Sequence, residues 1–305
     1  MNHPAVSVIV PAYNAEKYIS ENLQSLSHQT LKEIEVICVN DGSTDRTLSI
    51  MEQFSHRDIR FKIFSGRNAG YGAACNRGIA NACGQYVAIL ESDDFCSPTF
   101  YEDLLTIALR ENCDFVKSDF IMYWSQGKQE YVELVQSELY NKLFTPQTNL
   151  APMLNAYPSH WSAIYNKNFL NTKNIRFLET RGASYQDTSF AIKVIMTAQK
   201  AFFVNKAYVR YRQHFGQSVQ NAGNPLAICK EFAEVERHFP MTPELFATKF
   251  RRYMWNYKRL SETERPQFLE CFRQEFRNTL STFFDISSTS GLSNKERSKL
   301  MEVIT

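Results

Sequence analysis

Along the first hundred residues, short apolar runs alternate with stretches whose apolar positions recur every three or four residues. Val6–Val10, Ile34–Val39, Phe61–Phe64 and Tyr86–Leu90 are rich in β-branched and aromatic residues and predict strands. Between the first two, Ile19, Leu23 and Leu26 share one helical face, and Asn14 is placed to cap that helix. Ser43 or Thr44 is placed to cap the next one. Ala73 to Cys83 predicts a helix ended by Gly84, and Pro98 to Glu111 another, with proline near its first turn. Strands separated by helices predict βαβ units and a mainly parallel sheet flanked by helices, an α/β fold.

The pattern then loosens. Val116 to Tyr123 and Tyr131 to Val135 predict strands, whereas Phe144 to Pro158, with three prolines, predicts loop and short helix. Tyr185 to Gln199 predicts a helix, and Ala201 to Val204 and Tyr208 to Tyr211 two further strands. From Pro225 onward Glu, Lys, Arg and Phe recur at helical spacing, with Ser287 to Ser293 as a soft, linker-like break. The expected organisation is residues 1–224 as one α/β domain (about 1–118 and 119–224 as its halves) and 225–305 as a helical C-terminal region.

Composition narrows the class. Hydrophobic residues make up 44% of the 305 and charged residues 22%, ordinary globular values. The formal net charge is only +2, which argues against a dedicated nucleic-acid binder. No apolar run approaches membrane-spanning length and no signal peptide is visible, so a cytoplasmic protein is expected. Seven cysteines at scattered spacing, with no CxxC, predict reduced thiols rather than a disulfide or zinc framework. Lys249, Arg251, Arg252, Lys258 and Arg259 stand among Phe, Tyr and Trp residues. Such a helix can lie on the inner face of an anionic membrane, so peripheral association is an expectation.

Polar clusters follow the strands. Pro11-Ala-Tyr-Asn14 comes after the first, Asn40-Asp-Gly-Ser-Thr-Asp45 after the second and Glu91-Ser-Asp-Asp94 after the fourth. In a parallel sheet all three lie on one edge, where open α/β sheets bind ligands. GxGxxG is absent after the first strand and GxxxxGK[ST] is absent altogether, which disfavours a dinucleotide enzyme and a P-loop NTPase. Crowded carboxylates (Asp41, Asp45, Glu91, Asp93, Asp94) suit a hard divalent cation, Mg²⁺ or Mn²⁺, shared with substrate phosphates.

These motifs, with Asn68-Ala-Gly70 and Asn76-Arg-Gly78 between them, together resemble glycosyltransferase family 2 over roughly residues 4–220. The resemblance implies a GT-A nucleotide-sugar-binding fold and a metal-dependent inverting transferase. Its donor would be a UDP-hexose or UDP-N-acetylhexosamine, and its acceptor a surface glycan or lipid-linked glycan. By the same match Pro11, Ala12 and Tyr13 lie against the nucleoside and Asp41 accepts from uracil N3–H. Asn68, Gly70 and Gly72 let the backbone approach the nucleotide, and Arg77 supports it. Glu91 and Ser92 open the DxD position, with Glu where the family has Asp. Glu91 is expected to reach a ribose hydroxyl or a metal-bound water. Asp93 is the implied metal ligand, with Asp94 in the same shell and His214 on the metal or diphosphate.

Gln186-Asp187 resembles the family's Glu-Asp-x-x-Phe motif and implies Asp187 as catalytic base. Tyr211-Arg-Gln-His214 with Ser218 resembles a further family segment. Trp161, after His160, is expected to shape the acceptor pocket. The residues alone leave open a nucleotidyltransferase, a non-catalytic partner of another transferase, and a homodimer.

Overall fold

The computed structural model describes residues 3–214, 224–283 and 291–305. Four parallel strands form its first half: β1 (Val6–Ala12), β2 (Ile34–Asn40), β3 (Phe61–Ser65) and β4 (Tyr86–Ile89), in the order β3-β2-β1-β4. Every residue of β1, β2 and β4 is buried, as expected for strands covered on both faces. The helices between them are α1 (Ile19–Ser27), α2 (Thr47–Arg57) and α3 (Tyr71–Asn81). Ile19, Leu23 and Leu26 form the buried stripe of α1.

The sheet continues through β9 (Ala163–Asn166), β6 (Phe115–Trp124), β10 (Ala201–Gln213) and β5 (Phe95–Cys96), with β7 (Gln129–Val132) on β6 and β8 (Leu143–Phe144) on β10. It is thus parallel in its first half and mixed in its second. β9 runs antiparallel to both β4 and β6, and β10 runs parallel to β6. Two reversals restore the original direction, so β6 and β10 end on the same sheet edge as β1, β2 and β4. The two short strands expected over 201–211 are one strand, with register irregularities between Val204 and Val209 where Asn205 and Lys206 turn outward. α4 (Phe100–Glu111), α5 (Leu150–Asn155), α6 (Lys167–Thr172) and α7 (Gln186–Thr197) complete this part.

Neither expected cap of the first two helices forms. Asn14 adopts φ +50° and its side chain accepts the Thr44 amide at 2.8 Å, while its own amide donates to Ser43 Oγ at 3.0 Å. Asp45, just ahead of α2, accepts from the Thr47 amide and hydroxyl at 2.9 and 2.6 Å and from the Glu16 amide at 3.1 Å. Ser43, Thr44 and Asp45 therefore stitch the β1–α1 loop to the β2–α2 loop.

The chain after Pro225 forms α8 (Ala227–His238), α9 (Pro243–Arg259), α10 (Arg265–Phe283) and α11 (Asn294–Ile304). Phe232, Tyr253, Phe268, Phe272 and Phe276 build a second hydrophobic cluster there, which also takes in Leu154 of α5 and Ile192 of α7. Each such ring contributes about 1.5–3 kcal/mol of burial. Most of the expected linker lies outside the described residues. Its last residue, Ser293, caps α11 in a reciprocal box with Glu296.

This packing turns part of the basic tail inward. Lys249 is 1% exposed and bridges Glu236 at 2.5 Å and Glu275 at 2.7 Å. Arg251 binds Glu296 at 2.7 Å, and Arg252 donates to the Ala156 carbonyl. Three of the five cations thus hold the helices together. Among the described residues no helix is long and apolar enough to cross a membrane. All seven cysteines are free, and five are buried.

Glu35 joins the opposite end of the sheet. Its carboxylate accepts from Ser7 Oγ at 2.5 Å, the Cys83 amide at 2.6 Å and Lys62 Nζ at 2.6 Å. Burial alone would raise its pKa, but these three donors hold it below the ordinary 4.5. A depressed folded pKa contributes stability above the unfolded pKa and loses it as pH falls through the folded one. Glu35→Ala is expected to cost about 1–3 kcal/mol at pH 7. Urea unfolding should show the gap to wild type shrinking once pH drops below 4.5.

Candidate active site

Three groups converge on the shared sheet edge. The first is Asp41, just past β2. It is buried, and its Oδ1 and Oδ2 accept the amides of Ala69 and Gly70 at 2.8 and 2.9 Å. This carboxylate therefore shapes the turn before α3. Asp41, Arg67, Ala73, Asn76 and Arg77 are among the residues that line an open cleft of about 460 Å³. Arg77 also donates to the Ser65 carbonyl at 3.1 Å. Pro11 and Ala12 are buried at the end of β1, and Tyr13 beyond them is 52% exposed. Asn68 lies exposed in the Asp41-bound turn.

Gly70 and Gly72 are also required as glycines by their own chain. Gly70 has φ +97°, and a Cβ there would stand 2.5 Å from the Thr180 carbonyl oxygen; one on Gly72 would stand 2.2 Å from that of Leu178. The backbone they admit is the 178–182 loop of their own chain. The Tyr71 amide then donates to the Gly182 carbonyl at 3.0 Å.

The second group is the turn between β4 and β5. Asn22, fully buried on α1, donates its side-chain amide to the carbonyls of Glu91 and Asp94 at 2.8 and 2.9 Å. Glu91 Oε1 accepts from Tyr71 at 2.5 Å and lies 3.0 Å from His160 Nε2. The longer side chain at the first DxD position thus meets a phenol and an imidazole of its own chain. Ser92 is half-buried beside it.

Asp93 Oδ2 faces His214 Nε2 at 3.0 Å, and its carbonyl accepts from Arg212 Nε at 2.8 Å. The His214 ring packs on Tyr18, centroids 4.5 Å apart. Asp94 is 1% exposed. Its Oδ1 accepts the Arg212 amide at 2.8 Å, and its Oδ2 is buried with no partner among the described residues. Burial first, then the neighbouring charges of Asp93 and Glu91, push its carboxyl well above the usual range.

Asp93 and His214 fit a divalent cation as a pair. Adjacent ligands of an octahedral ion with bonds of about 2.1 Å are about 3.0 Å apart, the separation seen between Asp93 Oδ2 and His214 Nε2.

The third group is Asp187, in the first turn of α7 and half-buried. Buried Lys117 is pushed down to about 7 by desolvation, against the pull of Asp187. Burial also lowers Arg252, again against Asp187. Tyr157 senses both Asp187 and Asp94, so it stands between the two halves of the site. Gln186, where the family has Glu, is buried. Its Oε1 accepts the Ser184 amide at 2.6 Å, and its Nε2 donates to Thr180 Oγ1 at 2.8 Å and the Gly182 carbonyl at 3.4 Å. A carboxylate could not donate to that carbonyl, which accounts for the amide.

Trp161 is not an acceptor surface. It is 5% exposed, stacked on Tyr211 at 4.8 Å and edge-on to Phe120. The sequence reading also missed Asn22, Tyr71 and Tyr18 as site residues. Only Asn22 left a signal, a polar residue on the apolar stripe of α1. Ser218 lies outside the described residues.

The profile described as Glycosyl transferase family 2 matches residues 7–172. The uncharacterized glycosyltransferase EpsJ of Bacillus subtilis is 30% identical over 216 residues, 69% of this chain and 62% of that protein. The chain spans 61–64% of the length of three of the curated relatives it matches. The S. aureus TarS fragment 1–349, solved in complex with UDP-GlcNAc, aligns with a TM-score of 0.71 at 23% identity, covering 98% of this chain and 89% of that one. The mannosyltransferase PcManGT from Pyrobaculum calidifontis, solved with GDP-Man and Mn²⁺, aligns with a TM-score of 0.59 at 16% identity, covering 99% and 85%. At these identities the likeness to the two structures is one of fold, the GT-A fold. With its profile matched over more than half of the chain, the protein belongs to glycosyl transferase family 2.

Proposed function

We propose that this protein transfers a hexose or N-acetylhexosamine from a UDP-sugar to a hydroxyl of a glycan or lipid-linked glycan, inverting the anomeric centre. The observation that carries this reading is the Asp93–His214 pair at the sheet edge shared with Asp41. Asp93 and His214 would hold Mn²⁺ or Mg²⁺, with the Asp94 oxygen beside them. When bound, the cation neutralises charge on the departing diphosphate.

The chain's own groups do the rest. Each Asp41 oxygen keeps a second lone pair after accepting its backbone amide, so the carboxylate can still accept uracil N3–H. Asp187 takes the proton of the acceptor hydroxyl as that oxygen attacks the anomeric carbon opposite the leaving diphosphate. Asp187 lies in the first turn of α7, and Arg252 is close enough to feel its charge. TarS, solved with UDP-GlcNAc, and PcManGT, solved with GDP-Man, favour a nucleotide-sugar donor, and the TarS likeness favours the uridine class. Because Glu91 and Gln186 both have partners suited to their own chemistry, these departures from the family pattern do not favour a non-catalytic partner.

Asp93→Ala is expected to abolish the gain in UDP affinity on adding Mn²⁺. Calorimetry with and without the ion checks this, and a retained gain would remove Asp93 from the metal site. UDP should bind roughly tenfold or more tightly than CDP, because a mismatched buried hydrogen-bonding group costs about 1–3 kcal/mol. Equal affinities would exclude Asp41 from reading the base. Asp187→Asn should lower sugar transfer by about 10²–10⁴-fold while UDP affinity survives, both measured on one preparation.

A further inference from the structure

Tyr185 stands two residues ahead of Asp187 and adopts φ +67°, ψ 1°, the left-handed region. A bulky aromatic residue is disfavoured there and stays only when its surroundings hold it. Its carbonyl accepts the Thr188 amide at 2.8 Å, so this strained residue sets the direction in which α7 begins. That first turn carries Asp187.

The holding groups come from α9. The Tyr185 hydroxyl donates to Asn256 Oδ1 at 2.5 Å and accepts from Arg259 Nη1 at 3.1 Å. Asn256 has no solvent exposure, and its Nδ2 donates to the Pro225 carbonyl at 3.1 Å, which fixes the orientation of its amide. Trp255 adds an edge-on contact with the Tyr185 ring, centroids 5.8 Å apart, and the Arg259 guanidinium lies 4.2 Å from the Trp255 ring centre. Arg252, one turn earlier on α9, senses the charge of Asp187. The stretch of α9 from Arg252 to Arg259 is thus turned toward the start of α7.

We infer that Tyr185, Asn256 and Arg259 form a clamp that fixes the left-handed turn before α7 and thereby aims the Asp187 carboxylate. They are positioning residues; two of them belong to the helical tail, and all three lie outside the segment matched by the family profile. The inference rests on the reading of Asp187 as base. It gives the tail a part in the reaction: the second hydrophobic cluster holds α9 in place, and α9 holds the turn.

The test uses the full chain and measures UDP release from the preferred UDP-sugar with water as acceptor, alongside UDP calorimetry and thermal unfolding. Tyr185→Phe removes the hydroxyl and keeps the ring. Asn256→Leu removes the acceptor, and Arg259→Lys keeps a cationic donor for the Tyr185 hydroxyl. Because small misplacements of a catalytic group cost up to about 10²-fold, Tyr185→Phe and Asn256→Leu should lower kcat about tenfold or more. Donor KM and UDP affinity should not change, and Arg259→Lys should keep most of kcat. Wild-type kcat in Tyr185→Phe, with Asp187→Asn inactive, overturns the clamp and leaves the base reading standing. Wild-type activity in Asp187→Asn overturns the base reading and the clamp with it. If Tyr185→Phe loses UDP affinity and thermal stability along with kcat, the contact is merely structural and the positioning role is overturned.

Discussion

The Asp94 carboxylate accepts the Arg212 amide across the junction between the β4–β5 turn and the end of β10, 118 residues apart in the chain. Arg212 returns the contact through its guanidinium, which donates to the Asp93 carbonyl and pairs with Glu21 of α1. The same cation lies against the rings of Tyr18, Phe95 and Tyr123. These contacts bring His214 opposite Asp93. Without them the two candidate ligands would belong to separate parts of the sheet.

A carboxylate as buried as Asp94 is costly to keep charged, and its second oxygen has no partner among the described residues. In a purely structural role this would be an unfavourable choice, since a neutral amide could also accept the Arg212 proton. Next to Asp93 and Glu91 the cost rises further, because like charges oppose one another. A cation at this edge would relieve both penalties at once.

The helical tail enters this arrangement from the other side. Its phenylalanine-rich cluster reaches Leu154 on α5 and Ile192 on α7, so the helix that carries Asp187 packs into both hydrophobic clusters. Buried Lys249, held by two carboxylates, keeps α8, α9 and α10 in one geometry. The contacts of α9 with Tyr185 extend that rigidity to the turn before Asp187.

The sequence by itself determined what depends on local pattern. The β-branched runs located β1, β2, β3 and β4, and the polar clusters after them located Asp41 and the Glu91–Asp94 turn. Both follow from short-range physics: strand periodicity, and the common edge of parallel strands. Tertiary structure decided what depends on distant partners. Asn14 was expected as a cap and instead bridges two loops. Gly70 and Gly72 admit the 178–182 backbone, a contact made by residues a hundred positions away. Glu91 meets His160, Trp161 disappears into an aromatic stack, and Lys249 turns inward to two glutamates. An isolated glycine, tryptophan or lysine carries no mark of which neighbour will fill the space beside it, because that neighbour is chosen by the crossing of the sheet and the packing of its helices.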